Sequence, residues 1–243
     1  MQEPSSELHL RPVERRRAYQ EVVAQIQQEI LAGRLRSGDR LPGERQLSEM
    51  LGVSRSSVRE ALRVLETLDI VRARTGTGPE SGSIIVGEAG GTMGGVLLMH
   101  AALDHFSLED VVNVRVALEG QAVRAAAQLR DDEQLASLEK LVHRMESGDL
   151  GPEEFLELDS SFHVVIAQAS GNRLTGYVMQ SLRQLIEHWL GQLLLPHPGW
   201  PELRTALASE HREVFEAIRD GDGERGAEIL TEHIRKAYER VKR

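Results

Sequence analysis

The stretch Leu41–Val64, LPGERQLSEMLGVSRSSVREALRV, constrains this chain more than any other part of it. Leu47, Met50 and Leu51 recur at helical spacing, and Gly52 supplies the permissive backbone that closes a short helix. Ser54 can cap a second helix, whose buried face is marked by Val58, Ala61, Leu62 and Leu65. That leaves Arg55, Ser56, Ser57 and Arg59 on its first exposed turns. In a helix-turn-helix, these positions meet base edges and phosphates in the major groove. Any two helices joined at a glycine share part of this pattern, so the flanks matter. Upstream, Val22, Val23, Ile26, Ile30 and Leu31 predict the buried face of another helix, closed by Gly33. Downstream, Leu68, Ile70 and Val71 predict a short strand. The glycine-rich basic tip RARTGTGPESGS and a second strand at Ile84–Val86 follow. Helix, helix-turn-helix and a two-stranded wing make a winged helix. The tip lacks the Gly-Lys-Ser/Thr ending that a phosphate-cradling loop requires.

A net charge of −9 looks wrong for a partner of DNA until it is divided along the chain. Residues 1–87 hold 13 arginines against 12 acids, a net +1, while 88–243 hold 16 basic against 26 acidic residues, a net −10. Within 34–74 the balance is 9 arginines to 6 acids, and no lysine is present. Arginine suits bidentate contacts to guanine and phosphate. An acidic body repels DNA from everywhere but the reading head, which orients the encounter.

The 243 residues contain no cysteine, which excludes disulfides and thiolate metal sites. Apolar runs such as Val96–Met99 and Leu193–Leu195 are far too short to span a bilayer. Met1–Arg17 is polar, with charges through its middle, and does not read as a signal peptide. The expectation is a cytoplasmic protein with no membrane partner and a disordered arm over residues 1–17.

Gly87–Gly95, GEAGGTMGG, reads as a flexible joint, with the linker proper at 88–95. Beyond it the pattern is helical throughout, with helices predicted near 93–105, 108–130, 132–147, 152–170, 173–194, 201–221 and 223–241. The expected fold is mainly α, a winged helix-turn-helix at 18–87 followed by an all-α bundle of six or seven helices at 96–243.

Within the bundle, Asp159 and His163 are four apart and share one helical face. His211 and His233 lie on later helices. Three imidazoles and a carboxylate suit Zn²⁺, Mn²⁺ or Ni²⁺. Spacing alone leaves open that the i,i+4 pair only decorates a solvated face. Phe155, Leu158, Phe162 and Ile166 flank it closely, which predicts a half-buried face. Arg115 reads either as the surface partner of Glu119 at i+4 or as an anion-holding fork.

Residues 19–86 resemble the winged helix of the GntR superfamily of bacterial regulators, through Leu41-Pro42, Glu44-Arg45, Leu47, Leu51-Gly52, Val53-Ser54-Arg55 and Val58–Leu62. The remainder resembles the FCD effector domain of its FadR subfamily, through Val111–Glu119, Asp159–His163, Ser170-Gly171-Asn172, Glu210-His211 and Ala227 to His233. Together the two likenesses span residues 19–240. They imply operator contacts from Arg45, Ser54, Arg55, Ser56, Ser57 and Arg59, with Gly76 and Gly78 of the wing approaching the minor groove. They imply a divalent cation, zinc before manganese or nickel, on Asp159, His163, His211 and His233. A small organic acid would dock beside it on Arg115, with Asn172 lining the pocket. They further imply a homodimer on a palindromic operator, most often as a repressor, and no enzymatic activity. Two alternatives stand beside this: a metal-dependent enzyme with a DNA-binding head, and a metal-free regulator that senses a larger acyl ligand.

Overall fold

Gly52 and Ser54 divide two helices as their residue types dictate. In the computed structural model, which describes residues 18–74, 82–86, 91–194 and 199–241, helix α2 (Glu44–Leu51) ends where Gly52 turns left-handed at φ 64. Helix α3 (Arg55–Thr67) begins where the Ser54 side chain accepts the Ser57 N–H. Helix α1 (Ala18–Leu31) precedes them, and strands β1 (Val71–Arg74) and β2 (Gly82–Ile85) follow as an antiparallel pair in register from Val71 opposite Ile85 to Arg74 opposite Gly82. Val22, Ile26, Leu41, Leu47, Val58, Ala61, Leu62, Leu65, Val71 and Ile85 close one apolar core. The chain divides into two compact units, 1–88 and 89–243.

Three local expectations need correction. Met50 and Leu31 are exposed, at 65% and 87%, because the buried stripes run through Leu47 and through Val22 and Ile26 instead. Leu68 and Ile70 do not join the first strand. Leu68 ends α3 with its N–H on the Val64 and Glu66 carbonyls, and Asp69 then turns at φ 53, so β1 starts only at Val71. The second strand also begins earlier than Ile84, at Gly82, and ends at Ile85. The arm 1–17 and the wing-tip glycines Gly76 and Gly78 lie outside the described residues.

The second unit is a bundle of seven helices among the described residues: α4 (Gly91–Ala102), α5 (Leu108–Leu129), α6 (Asp132–Met145), α7 (Pro152–Ala169), α8 (Arg173–Leu194), α9 (Trp200–Asp220) and α10 (Gly223–Val241). Local signals set their ends. Ser107 with Asp110 and Asp131 with Gln134 form capping boxes at the starts of α5 and α6. Prolines open α7 and α9, and Gly221 closes α9 at φ 82. The joint expected at 88–95 is corrected here, because α4 is already helical from Gly91. Gly94 is buried, and a Cβ there would meet the Ser181 carbonyl of α8 at 2.8 Å. Its small size serves close packing of two helices, not freedom of the chain.

Helix α7 is buried on two faces. Phe155, Phe162 and Ile166 join the main core with Leu138, Val214, Phe215 and Leu230. Val164 and Ala167 join a second core with Val111, Met179, Leu185 and Ile186. A helix apolar on nearly every side belongs in the interior of a bundle. The polar residues it carries there need partners from its neighbours. No helix among the described residues is long and apolar enough to cross a membrane.

Candidate metal centre

Asp159 and His163 are 5% and 2% exposed, fully buried where a half-buried face was expected. Helix α9 adds His211 and α10 adds His233, at 0% and 4%. One donor atom from each of the four lies within 4.8 Å of every other. The Nε2 atoms of His211, His163 and His233 lie 3.1, 3.9 and 3.9 Å from Asp159 Oδ1. Edge-on Phe162, its ring centroid 4.9 Å from that of His211, walls the cluster on one side.

Each imidazole is oriented through its other nitrogen. His163 Nδ1 bonds to Glu119 Oε2, His233 Nδ1 donates to Glu210 Oε2 at 2.6 Å, and His211 Nδ1 donates to the Leu207 carbonyl at 2.8 Å. This pattern fixes the tautomer that carries its proton on Nδ1 and turns every Nε2 lone pair inward. The Nε2 atoms of His163 and His211 are buried without a hydrogen-bond partner. An orphaned buried imidazole nitrogen is costly unless something else occupies its lone pair. The donor chemistry, one carboxylate and three imidazoles, fits a borderline divalent cation.

Electrostatics favours the neutral ring at His233. Burial pushes the His233 imidazole down to about 4, and the neighbouring His211 adds to the effect, so the ring is neutral and able to bind. Burial would raise the Glu119 carboxyl, but Arg115 and His163 outweigh it and bring it down to about 2. Burial likewise opposes ionisation of Asp159, but a proton on His211, and charge on His163, His211 or His233, holds its carboxyl below the ordinary aspartate range, so without a cation the carboxylate and the imidazoles compete for protons.

Arg115 is buried at 6% exposure, and its Nε donates to Glu119 Oε1 at 2.7 Å. The i+4 pairing read from the sequence therefore exists, but inside the bundle, not on its surface. Arg115 also borders a small apolar cavity with Val112, Trp189, Ile234 and Tyr238. Asn172 is not brought to this cluster. It is exposed at the start of α8, where its Oδ1 accepts the N–H groups of Leu174 and Thr175 as a helix cap. The sequence reading missed the orienting roles of Glu119 and Glu210. The signals available were only that Glu119 follows Arg115 by one turn and that Glu210 precedes His211.

The DNA-facing candidates lie on α2 and α3. Arg45, Ser54, Arg55, Ser56 and Arg59 are exposed, and Ser57 is half-buried. Arg45 Nε is 3.8 Å from Glu49, and Ser54 Oγ bonds to the hydroxyls of Ser56 and Ser57 at 2.8 and 2.9 Å. Arg59 grips Glu44 through Nε and Nη2.

A winged helix and a helical bundle carrying a buried Asp-His cluster define a DNA-binding transcription regulator. Comparison with known proteins agrees. Residues 18–79 match the gntR family of bacterial regulatory proteins, and residues 110–236 match the FCD domain. The chain belongs to the GntR family and is of its FCD type. It is 30% identical to the Glc operon transcriptional activator of Escherichia coli (strain K12), over 84% of this chain and 81% of that one. It is 28% identical to the uncharacterized HTH-type transcriptional regulator YcbG of Bacillus subtilis (strain 168), over 99% and 97%. It is 27% identical to the HTH-type transcriptional repressor NanR of Enterobacter sp. (strain 638), over 93% and 86%. The solved structure of a Streptococcus agalactiae GntR protein superimposes with a TM-score of 0.60 at 26% identity, covering 90% of this chain and 98% of that one. These relatives are regulators, which sets aside the metalloenzyme alternative.

Proposed function

We propose that this regulator is a homodimer that binds a palindromic operator as a repressor and is controlled by a small carboxylate bound beside a divalent cation. Residues 18–87 form the reading head, and the bundle from α4 onward forms the effector-binding and dimerising body. Dimerisation follows from the reading mode, since one recognition helix reads only a half-site. Arg55, Ser56, Ser57 and Arg59 approach the bases and adjacent phosphates. Arg45 and the backbone at Gly76 and Gly78 add contacts along the duplex.

The observation that carries the reading of the body is the orientation of three imidazoles around Asp159, each anchored at Nδ1 and two with orphaned Nε2 atoms. Asp159, His163, His211 and His233 would hold the cation, with zinc preferred over manganese or nickel. When bound, it supplies a Lewis-acidic docking point for a carboxylate oxygen. One carboxylate and three neutral imidazoles leave a net positive charge on a dication, which favours an anionic guest. Arg115 commits Nε to Glu119, and the outer edge of its guanidinium holds the second end of the acid. The complete donor set favours this reading over a metal-free pocket for a larger acyl chain.

Native mass spectrometry of gently purified protein tests the proposal, with an expected dimer mass and one divalent cation per subunit. Calorimetric titration with small hydroxy- and dicarboxylic acids should then identify a binder that changes operator affinity. Arg115→Ala should abolish that response and leave operator binding without acid near normal. Equal binding of a responding acid by wild type and variant would remove Arg115 from the site.

A further inference from the structure

Glu119 lies between the two halves of the site, at 1% exposure. Its Oε1 accepts from Arg115 Nε one turn back on α5, and its Oε2 accepts from His163 Nδ1 on α7. Both donors are buried. Only an ionised carboxylate of this length satisfies both, because each of its oxygens is an acceptor. A glutamine offers one acceptor and one donor, so it would turn an N–H against one of the two partners. Loss of the charge would also leave the Arg115 guanidinium buried and unpaired, a costly state.

Resting on the metal-and-acid reading above, we propose that Glu119 is a positioning residue that couples the state of Arg115 to the grip of His163 on a cation. One carboxylate charge is divided between two donors. Whatever weakens the hold of Arg115 on Oε1 leaves more charge for Oε2 and strengthens the bond to His163 Nδ1–H. A ring more firmly held at Nδ1 is a stronger base at Nε2. Neutralising Arg115, as a bound carboxylate would, therefore raises cation affinity. By thermodynamic reciprocity, cation binding raises the affinity of the Arg115 side for an anion by the same factor. The sharing also explains why a buried arginine is tolerated so close to a cation site. Its charge is balanced by the same group that orients a ligand.

The test needs only Co²⁺ as probe, titrated into metal-free full-length protein and followed by its visible absorption. Glu119→Gln should lower Co²⁺ affinity about 10–100-fold. Arg115→Met should raise it about fivefold or more in the presence of Glu119. In the Glu119→Gln background, the same substitution should change affinity less than about threefold, since only the direct charge effect remains. Additive effects in this cycle would overturn the proposal. Failure of the wild type to bind Co²⁺ would instead overturn the metal reading itself, so the two failures are distinguishable. Should Glu119→Gln not melt cooperatively, the His163 ring-proton resonance of the zinc-loaded protein gives the answer without it. That resonance should move downfield in Arg115→Met, and an unchanged position would overturn the coupling.

Discussion

Arg59 and Glu44, fifteen residues apart, join the two helices of the reading head by a bidentate ion pair, with Nε and Nη2 of the arginine 3.1 and 2.7 Å from the two carboxylate oxygens. The pair is exposed, so its value lies in aiming a long side chain before DNA arrives. With Nε and Nη2 committed to Glu44, Nη1 is the nitrogen left for the proposed contact with a base or phosphate.

Arg55→Ala and Arg59→Ala should each weaken operator binding about tenfold or more. A base-reading arginine would lose discrimination at one position per half-site. A phosphate contact would lose affinity on all sequences and flatten the salt dependence. Gel-shift titrations at several salt concentrations separate the two, and unchanged affinity in both variants would refute the placement.

The same ion pair gives a pH prediction. The hydrogen bond from Arg59 is the largest influence on Glu44 and holds its carboxyl below the ordinary glutamate range. A depressed folded-state value means that the stabilisation is present above the unfolded-state value and is lost as pH falls through the folded one. Arg59→Ala should return the Glu44 titration, followed by carboxyl NMR, to the ordinary range. The variant should also lose less stability on acidification than wild type does. A Glu44 titration that Arg59→Ala leaves in place would contradict this.

Chelation should lower the melting temperature of the bundle while the winged helix keeps its own transition, because the four ligands come from three helices and binding adds to folded-state stability. Acidification should release the cation as protons compete for the imidazoles. Elemental analysis of a reconstituted His163→Ala/His211→Ala double variant should show no metal, and full occupancy there would contradict the assignment.

Phe162 is fully buried and packs edge-on against His211. Phe162→Ala should cost about 3–5 kcal/mol in urea unfolding. Leu174→Ala, at a side chain 68% exposed, should change stability by less than about 0.5 kcal/mol. Comparable losses in both would mean that the buried core is placed wrongly.

At Gly226, a Cβ would lie 2.7 Å from Val123 Cγ1 and 3.2 Å from Ala217 Cβ. Gly226→Ala should therefore destabilise by about 1–3 kcal/mol. Val123→Ala in the same chain should recover part of that loss, since it removes the atom in the way. Gly148, with nothing within 4 Å of its would-be Cβ, should accept alanine with little effect. Strictly additive losses at 226 and 123 would place α5 and α10 differently.

What the sequence disclosed followed from how local each signal is. The seven helices of the body were legible because their caps and stop residues lie within a few positions of each helix end, as with Asp131 and Gln134. Asp159 and His163 were visible as a pair because four residues make one helical turn. Their union with His211 and His233 was not readable from spacing, since gaps of tens of residues carry no periodic signal, and it came through family likeness. Glu119 escaped because its decisive partner, His163, lies 44 residues away on another helix. The glycines at 91–95 misled for another reason. A missing side chain serves loose chain and tight helix contact equally, and only the neighbouring Ser181 carbonyl distinguishes them.

Ten of the eighteen residues of α7 are buried; six of them join the two apolar cores and two belong to the ligand cluster. Such a helix has almost no room to drift, because a change on either side disturbs packing, chemistry or both. Descendants of this protein that come to sense a different effector would therefore change the walls around Arg115 instead. Val112, Trp189 and Tyr238, on three other helices, border that cavity without holding the cluster together. Evolution can exchange them one at a time and leave the keystone untouched.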